Sequence, residues 1–455
     1  MLSLSGQQQE GDPNETLTQE CPEIVSAIPA TSHQPFLCRP PFSTFGSRCD
    51  ARWTARMVAL TAVWMAWCST GSLCDRFASA REVVTGMFPG RRRVGKSYQG
   101  FVRALLGFGG GLLEAVRGHL RRRLREICGA YWAREGLPAF AVDGSRMDCP
   151  RTEANEEALG CGGRQGTGPQ FWLTTLWHMG TGLPWSWRVG PSTDAERTHL
   201  RLMLGVLPAA ALLVADAGFV GYELLREVLD GGRSFLVRVG SNVHLLKELG
   251  YVEQEADGTV YLWPQEQGRQ GYPPLTLRLI VLQRKGRKIY LVTNLSPTKL
   301  GDRQASVLYE MRWGVEVFYR SLKQTLSRRK MLSRAPRQAW AELQWTLVGL
   351  KLLGMLSVEQ IIASGKDPLS LSVAMALRVV RLAGQDRKPP GSGRGGLQGR
   401  LMRAVKDNYR RTGPKAARHW PHKKNEPPAG PPTIRKATQS EVKKAQRIRA
   451  KQQAA

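Results

Sequence analysis

The order of elements along the chain predicts an α/β fold, a mixed sheet with helices on its faces. Three observations carry that expectation. Past residue 137 three strand-like runs follow one another: "PAFAVDGS", "QFWLTTLWHM" (170–179) and "GLPWSWRVG" (182–190), the last two joined through "GTG". Helix and strand then alternate through "TDAERTHLRLMLGVL", "AALLVADAGFVG" (210–221), "YELLREVLDGG" and "SFLVRVG". The length, 455 residues, suffices for two or three domains and a well-buried core.

Each element has a local reason. The first run is short, apolar and ended by an acid and a glycine, as a strand leaving a sheet would be. The helix after the third strand is expected to begin at Ser192 or Thr193 as its cap, with acids in its first turn. The run 210–221 reads as a buried strand that ends in Asp216 and a glycine, and "YELLREVLDGG" is a helix stopped by glycine. Between 240 and 300, "GTVYLWP" and "LTLRLIVLQRKGRKIYLVTNL" alternate and turn, which predicts an antiparallel insert. Upstream, 54–128 reads as helices. The last of them sets Leu112, Leu113, Val116, Leu120 and Leu124 opposite an arginine-rich face. Residues 1–53 are polar and Pro-rich and read as disordered. Residues 386–455 read as a basic disordered tail with a short helical end.

Composition narrows the function classes. The chain carries 66 Lys and Arg against 37 Asp and Glu, a formal charge of +29. The excess is uneven: residues 386–455 hold 19 basic and four acidic residues, and residues 1–50 hold two and six. A body this basic calls for an anionic partner, nucleic acid first. The apolar run 57–68 suits a buried helix rather than a bilayer crossing, and the first residues lack a signal-peptide pattern. No membrane partner is expected, and the expected location is cytoplasmic, on the nucleoid. The eight cysteines are scattered without a C-x-x-C, and the seven histidines are equally dispersed, so neither a disulfide framework nor a zinc site is expected. "GRRRVGKS" (90–97) satisfies the phosphate-loop pattern, but that loop works only between a strand and a helix. The residues before it are helical in pattern.

The chemistry-bearing residues lie further on. In "YEMRWGVEVFYRSLKQTL" (309–326), Tyr309, Arg312, Glu316 and Lys323 fall on one helical stripe about 60° wide, beside a separate apolar stripe. A solvated face with an Arg312–Glu316 pair would explain an arbitrary helix equally well. Two further acids end strands, Asp143 and Asp216. Hard carboxylate oxygens suit a pair of magnesium ions, which can activate a water or a 3′ hydroxyl at a phosphodiester.

Together, Asp143, Asp216 and the Tyr309-x2-Arg312-x3-Glu316-x6-Lys323 spacing resemble the DDE transposases of the insertion-sequence-four family, which includes the transposase of transposon five. "DAGF" at the second acid and "FLVRVGSN" after it look like further family blocks, and the resemblance covers about 55–370. It implies an RNase H-like core with a β-rich insertion before the catalytic glutamate. The implied divisions are a helical DNA-binding domain (54–135), the two parts of the core (136–240 and 301–385) and the insertion (241–300). Asp143, Asp216 and Glu316 would be catalytic and hold Mg2+, for which Mn2+ could substitute. Tyr309, Arg312 and Lys323 would contact DNA phosphates. Arg238 and Trp263 are candidate DNA contacts, Trp263 as a platform for a flipped base. The implied activity is cutting transposon ends and joining them to target DNA, with double-stranded DNA and a second copy in a homodimer as partners. Two rival readings are an inactive or co-opted relative that only binds DNA, and a basic RNA-binding protein.

Overall fold

The structure is a computed structural model that describes residues 52–69, 71–88, 94–162, 167–284, 286–385, 396–407 and 430–453, together with Phe42, Thr44 and Phe45. Most of the N-terminal segment, Arg91–Arg93 of the loop-like motif, and 386–395 and 408–429 of the tail lie outside the described residues. The chain divides into two compact units. One comprises Met1–Arg123, Ala341–Gly365 and Leu371–Val405; the other comprises Leu124–Trp340, Lys366–Ser370 and Lys406–Ala455.

The first unit is helical. Helix α1 (Ala55–Trp67) starts where the Thr54 side chain accepts from the Met57 amide, and α2 (Leu73–Gly86) starts with a reciprocal Ser72–Asp75 capping box. The phosphate-loop look-alike therefore follows a helix, which removes the strand it would need. Helix α3 (Tyr98–Ile127) is broken at Gly109, whose φ of 59° is open to glycine but not to most residues. Later segments complete this unit: Gly349 of the helix Pro336–Ala363 accepts from the Trp67 indole at 2.9 Å. A Cβ on Gly349 would lie 2.9 Å from that of Ala66, so glycine is what lets the two backbones approach. The expected division set 301–385 wholly with the sheet; from Ala341 onward these helices pack instead with the N-terminal ones. Pro336–Ala363 is also long and apolar enough to cross a membrane, contrary to the expectation that no segment is, but 78% of its apolar stretch is buried as in a core helix.

The second unit is built on a ten-stranded mixed sheet of order β10-β6-β7-β8-β9-β5-β4-β1-β2-β3. Strand β1 (Ala139–Asp148) pairs antiparallel with β2 (Gln170–His178), which pairs antiparallel with β3 (Leu183–Pro191). On its other edge β1 runs parallel to β4 (Leu212–Ala215), and β4 runs parallel to β5 (Ser234–Val239). All four residues of β4 are buried, which is why its sequence is continuously apolar. The predicted antiparallel strands extend this same sheet. Strand β9 (Arg287–Thr293) pairs with β5 and with β8 (Leu275–Arg284), and β7 (Thr259–Leu262) and β6 (His244–Lys247) follow. The tail reading needs correction: β10 (Thr433–Lys436) adds parallel to β6, and a helix spans Gln439–Gln453.

Two helices depart from expectation. The helix after β3 is only Glu196–Arg201, capped by Ala195 without a side-chain bond. Ser192 is engaged elsewhere, donating to the Leu159 carbonyl at 2.8 Å, while Asp194 accepts from His199 Nε2 at 2.8 Å. The stretch 309–326 is not one regular helix. It comprises α8 (Asp302–Met311), a tight turn at Arg312–Trp313, α9 (Gly314–Arg320) and a π-helical turn at Ser321–Thr325. A cause lies at Gly314, where a Cβ would overlap the ring of Trp177 on β2. Gly314→Ala is therefore expected to cost about 1–3 kcal/mol by overpacking. A lower denaturant midpoint with an unchanged m-value would show it.

Candidate active site

The sheet has a topological switch at β1 and β4: the chain leaves β1 toward β2 on one side and returns as β4 on the other. Clefts for ligands open beyond the carboxyl ends of parallel strands at such points. The β1–β4 register pairs Ala141 with Val214. Two residues further along lie Asp143 and Asp216, side by side on neighbours that run about 4.8 Å apart. Asp143 does not end its strand as expected, because β1 stays paired with β2 as far as Asp148, whereas Asp216 does follow the last residue of β4. Asp216 just leaves the sheet, and its Oδ1 accepts from the Ala217 amide at 2.8 Å.

Helix α9 brings the third acid. It is fastened to β1 by buried Tyr319, whose hydroxyl donates to the Asp143 carbonyl at 2.6 Å. Arg312 lies beneath, 2% exposed, with Nη2 3.5 Å from Asp216 Oδ2 and 3.9 Å from Glu316 Oε1. Its guanidinium carbon lies 5.5 Å from the Tyr309 ring centroid and 5.4 Å from that of Trp313. Arg238 reaches Asp216 Oδ1 at 3.7 Å, and the Tyr309 hydroxyl donates to the same oxygen at 3.4 Å. Lys323 donates to Ser145 Oγ at 2.8 Å, two residues beyond Asp143. The structure thus brings together Asp143, Asp216, Glu316, Tyr309, Arg312, Lys323 and Arg238.

Three of the expected DNA contacts are buried. Tyr309 and Arg312, read as phosphate contacts, are 5% and 2% exposed and direct their polar ends to Asp216 and Glu316. Trp263 is not an open platform: it is 8% exposed, donates its indole N–H to the Tyr272 carbonyl at 2.9 Å and packs against Gly268. Trp263→Ala should lower stability by about 3–5 kcal/mol, the cost of emptying a core indole site. Chemical denaturation of the DNA-free protein measures it. Trp313, 54% exposed and beside Arg312, is a site residue that the spacing argument misses, although it stands inside the quoted stretch.

Glu196 is another that the sequence does not single out. As a first-turn acid it has an ordinary helical explanation, yet its carboxylate lies against Gly144. The electrostatics place it with the others. Burial raises the Asp143 carboxyl above its ordinary value, the Asp216 charge adding to this and Arg312 opposing it. Burial likewise raises Glu196 and Glu316, with Asp143 and Asp216 contributing to both. Burial also lowers the Lys323 ammonium. An acid raised on folding is neutral in both states at low pH, and it opposes folding once its charge must be held in the site. Its contribution therefore weakens as pH rises through the raised value. Thermal unfolding in EDTA between pH 4 and 7 should show a shallower loss with rising pH for Asp143→Asn than for the parent.

Among the described residues no three His, Cys, Asp or Glu side chains are gathered into a ready-made metal cage. The donors that do face one another are hard carboxylate oxygens, the chemistry that magnesium and manganese prefer. Asp143, Asp216 and Glu316 fit such an ion by donor type and by the repulsion among them.

The family model described as "Transposase DDE domain" matches residues 134–350, which contain every acid named above. Residues 134–350 thus match a transposase DDE domain. The chain is similar to the transposase InsG for insertion sequence element IS4 of Escherichia coli (strain K12), at 25% identity over a 309-residue alignment that covers 64% of this chain and 67% of that one. A solved piggyBac transposase synaptic complex with hairpin DNA aligns over 88% of this chain and 86% of its own, at 12% identity and a TM-score of 0.36.

Proposed function

We propose that this chain is the DNA transposase of an insertion sequence, cutting the element's ends and joining them to target DNA. The observation that carries this reading is the pairing of Asp143, midway along β1, with Asp216, just past the end of the adjacent parallel strand β4, faced by Glu316, in a chain of charge +29. Strands β1–β5, in the order 3-2-1-4-5, serve as an RNase H-like core, and β6–β9 are its insertion.

In this reading Asp143, Asp216 and Glu316 hold divalent ions, Mg2+ with Mn2+ as substitute. Bound there, such ions supply activation of a water or 3′ hydroxyl and stabilisation of the leaving oxygen. The protein's own part is orientation. Tyr319 fixes the backbone at Asp143; Tyr309 and Arg238 aim Asp216; Arg312 spans Asp216 and Glu316. At ~4 Å and an effective dielectric near 20, each such charge contact is worth about 4 kcal/mol before desolvation, enough to hold a carboxylate's rotamer. Lys323 and the solvent-facing edge of Arg238 remain to meet the phosphates beside the scissile bond. The basic surface draws in DNA at a rate that falls with added salt. Two ends must be held at once, so the working form is a homodimer on nucleoid DNA in the cytoplasm.

The test is incubation with a plasmid carrying the inverted repeats that flank the reading frame, in Mg2+ and in EDTA. Cleavage at the repeats followed by joining supports the reading. Binding without cleavage would mark a relative that only binds DNA. Equal affinity for RNA, with no preference for the repeats, would also contradict it.

A further inference from the structure

Glu196 lies outside the Asp–Asp–Glu set, and its surroundings are unusual for a surface acid. It opens a short helix set against β1 and β2 by buried His199, whose ring bonds Thr174 Oγ1 at 3.1 Å and Asp194 at 2.8 Å. The Glu196 side chain lies against the middle of β1 and near the turn that follows β4. Gly144, the residue after Asp143, accommodates it: a Cβ there would lie 3.1 Å from Glu196 Cδ and 3.2 Å from its Cγ. The same position would meet Trp172 at 2.8 Å, so Gly144 is packed by both side chains, and Glu196 Oε2 also comes within 3.9 Å of a Cβ position at Gly218, two residues after Asp216. The carboxylate therefore lies against the residue that follows Asp143 and near the turn that follows Asp216.

The carboxylate also lacks a counter-charge in contact. Among the described residues Glu196 accepts no hydrogen bond and makes no ion pair, and the neighbouring Arg197 donates instead to the Gly218 carbonyl at 2.8 Å. An uncompensated, half-buried carboxylate beside two others is unfavourable unless a cation joins them. Arg312 cannot serve, being committed to Asp216 and Glu316.

We infer that Glu196 is a fourth carboxylate of the divalent-cation site and would help Asp143 and Asp216 hold the ion. The inference rests on the transposase reading above and adds a residue to it.

The experiment is titration of the full-length, metal-free chain with Mn2+ alone, followed by calorimetry and by loss of the free-ion spin-resonance signal. Parent, Glu196→Gln, Asp216→Asn and the exposed-site control Glu157→Gln are compared. Glu196→Gln keeps the shape and removes the charge. It should weaken Mn2+ binding by about 10–100-fold, as loss of a group that supports a metal commonly does. Its thermal midpoint in EDTA should equal or exceed the parent's, which separates this loss from misfolding. Mn2+ affinity and stoichiometry matching Glu157→Gln, with Asp216→Asn impaired, would overturn the inference and leave the transposase reading intact. Asp216→Asn binding Mn2+ like the parent would overturn both.

Discussion

Asp143→Asn is expected to abolish cleavage at the element's ends while leaving DNA binding and the fold in place. The substitution keeps the side chain's shape and removes one charge from the β1–β4 switch point, where the carboxylate is half-buried and faces Asp216. If the acids act by gripping divalent ions, the loss falls on the chemical step. A factor of at least about 10²–10³ in rate is the usual consequence of removing one preorganised stabiliser of transition-state charge. Because Asp143 is raised by burial, the neutral amide is easier to hold than the ionised parent, so the variant should melt no lower in EDTA. Nicking of supercoiled plasmid in Mg2+, beside a gel-shift titration on the same preparation, checks it. A variant that cleaves at the parent's rate would remove Asp143 from the mechanism.

The second large effect belongs to Arg312. Buried at 2% exposure, it is the cation held between Asp216 and Glu316. Removing one partner of a buried charge pair costs about 3–5 kcal/mol, because the remaining charges lose their compensation. Asp216 and Glu316 are 38% and 41% exposed on their side chains, so water screens them and Arg312→Ala should fall near the lower end. Arg312→Lys supplies the charge without the planar fork, and it should recover stability better than it recovers cleavage. Urea unfolding of the three proteins, set beside their cleavage rates, separates the two contributions. If Arg312→Ala loses cleavage with no change in stability, the arginine acts on DNA rather than on the carboxylates.

Much of this arrangement is legible in the amino-acid sequence. Strands β1 to β5 announce themselves because their periodicity is local, and a four-residue buried strand such as Leu212–Ala215 can only be apolar. Asp216 is legible because it follows a buried apolar strand, Asp143 because it interrupts an apolar run although its strand continues to Asp148, and Tyr309, Arg312, Glu316 and Lys323 because their spacing repeats a known pattern. What escapes depends on contacts between distant segments. The close packing of Trp177, more than a hundred positions upstream, on Gly314 beside the break at Arg312–Trp313 is one such contact. Strand β10 escapes for a related reason: all four of its residues are exposed at the sheet's edge, so no inward face leaves an alternating trace. Glu196 is hidden by a rule that is correct in general. An acid in a helix's first turn is usually there for the helix, and only the glycines beside Asp143 and Asp216 reveal a second use. Trp263 shows the reverse, a residue with an attractive chemistry that the fold spends on packing.

The central claim is that carboxylates from three separate elements act as one cation site. The most direct measurement is anomalous diffraction from crystals of the full chain soaked in Mn2+. The account predicts manganese in contact with Asp143, Asp216 and Glu316, with Arg312 drawn off at least one carboxylate. Manganese bound elsewhere on the chain, with Asp216 and Glu316 still paired to Arg312, would contradict it.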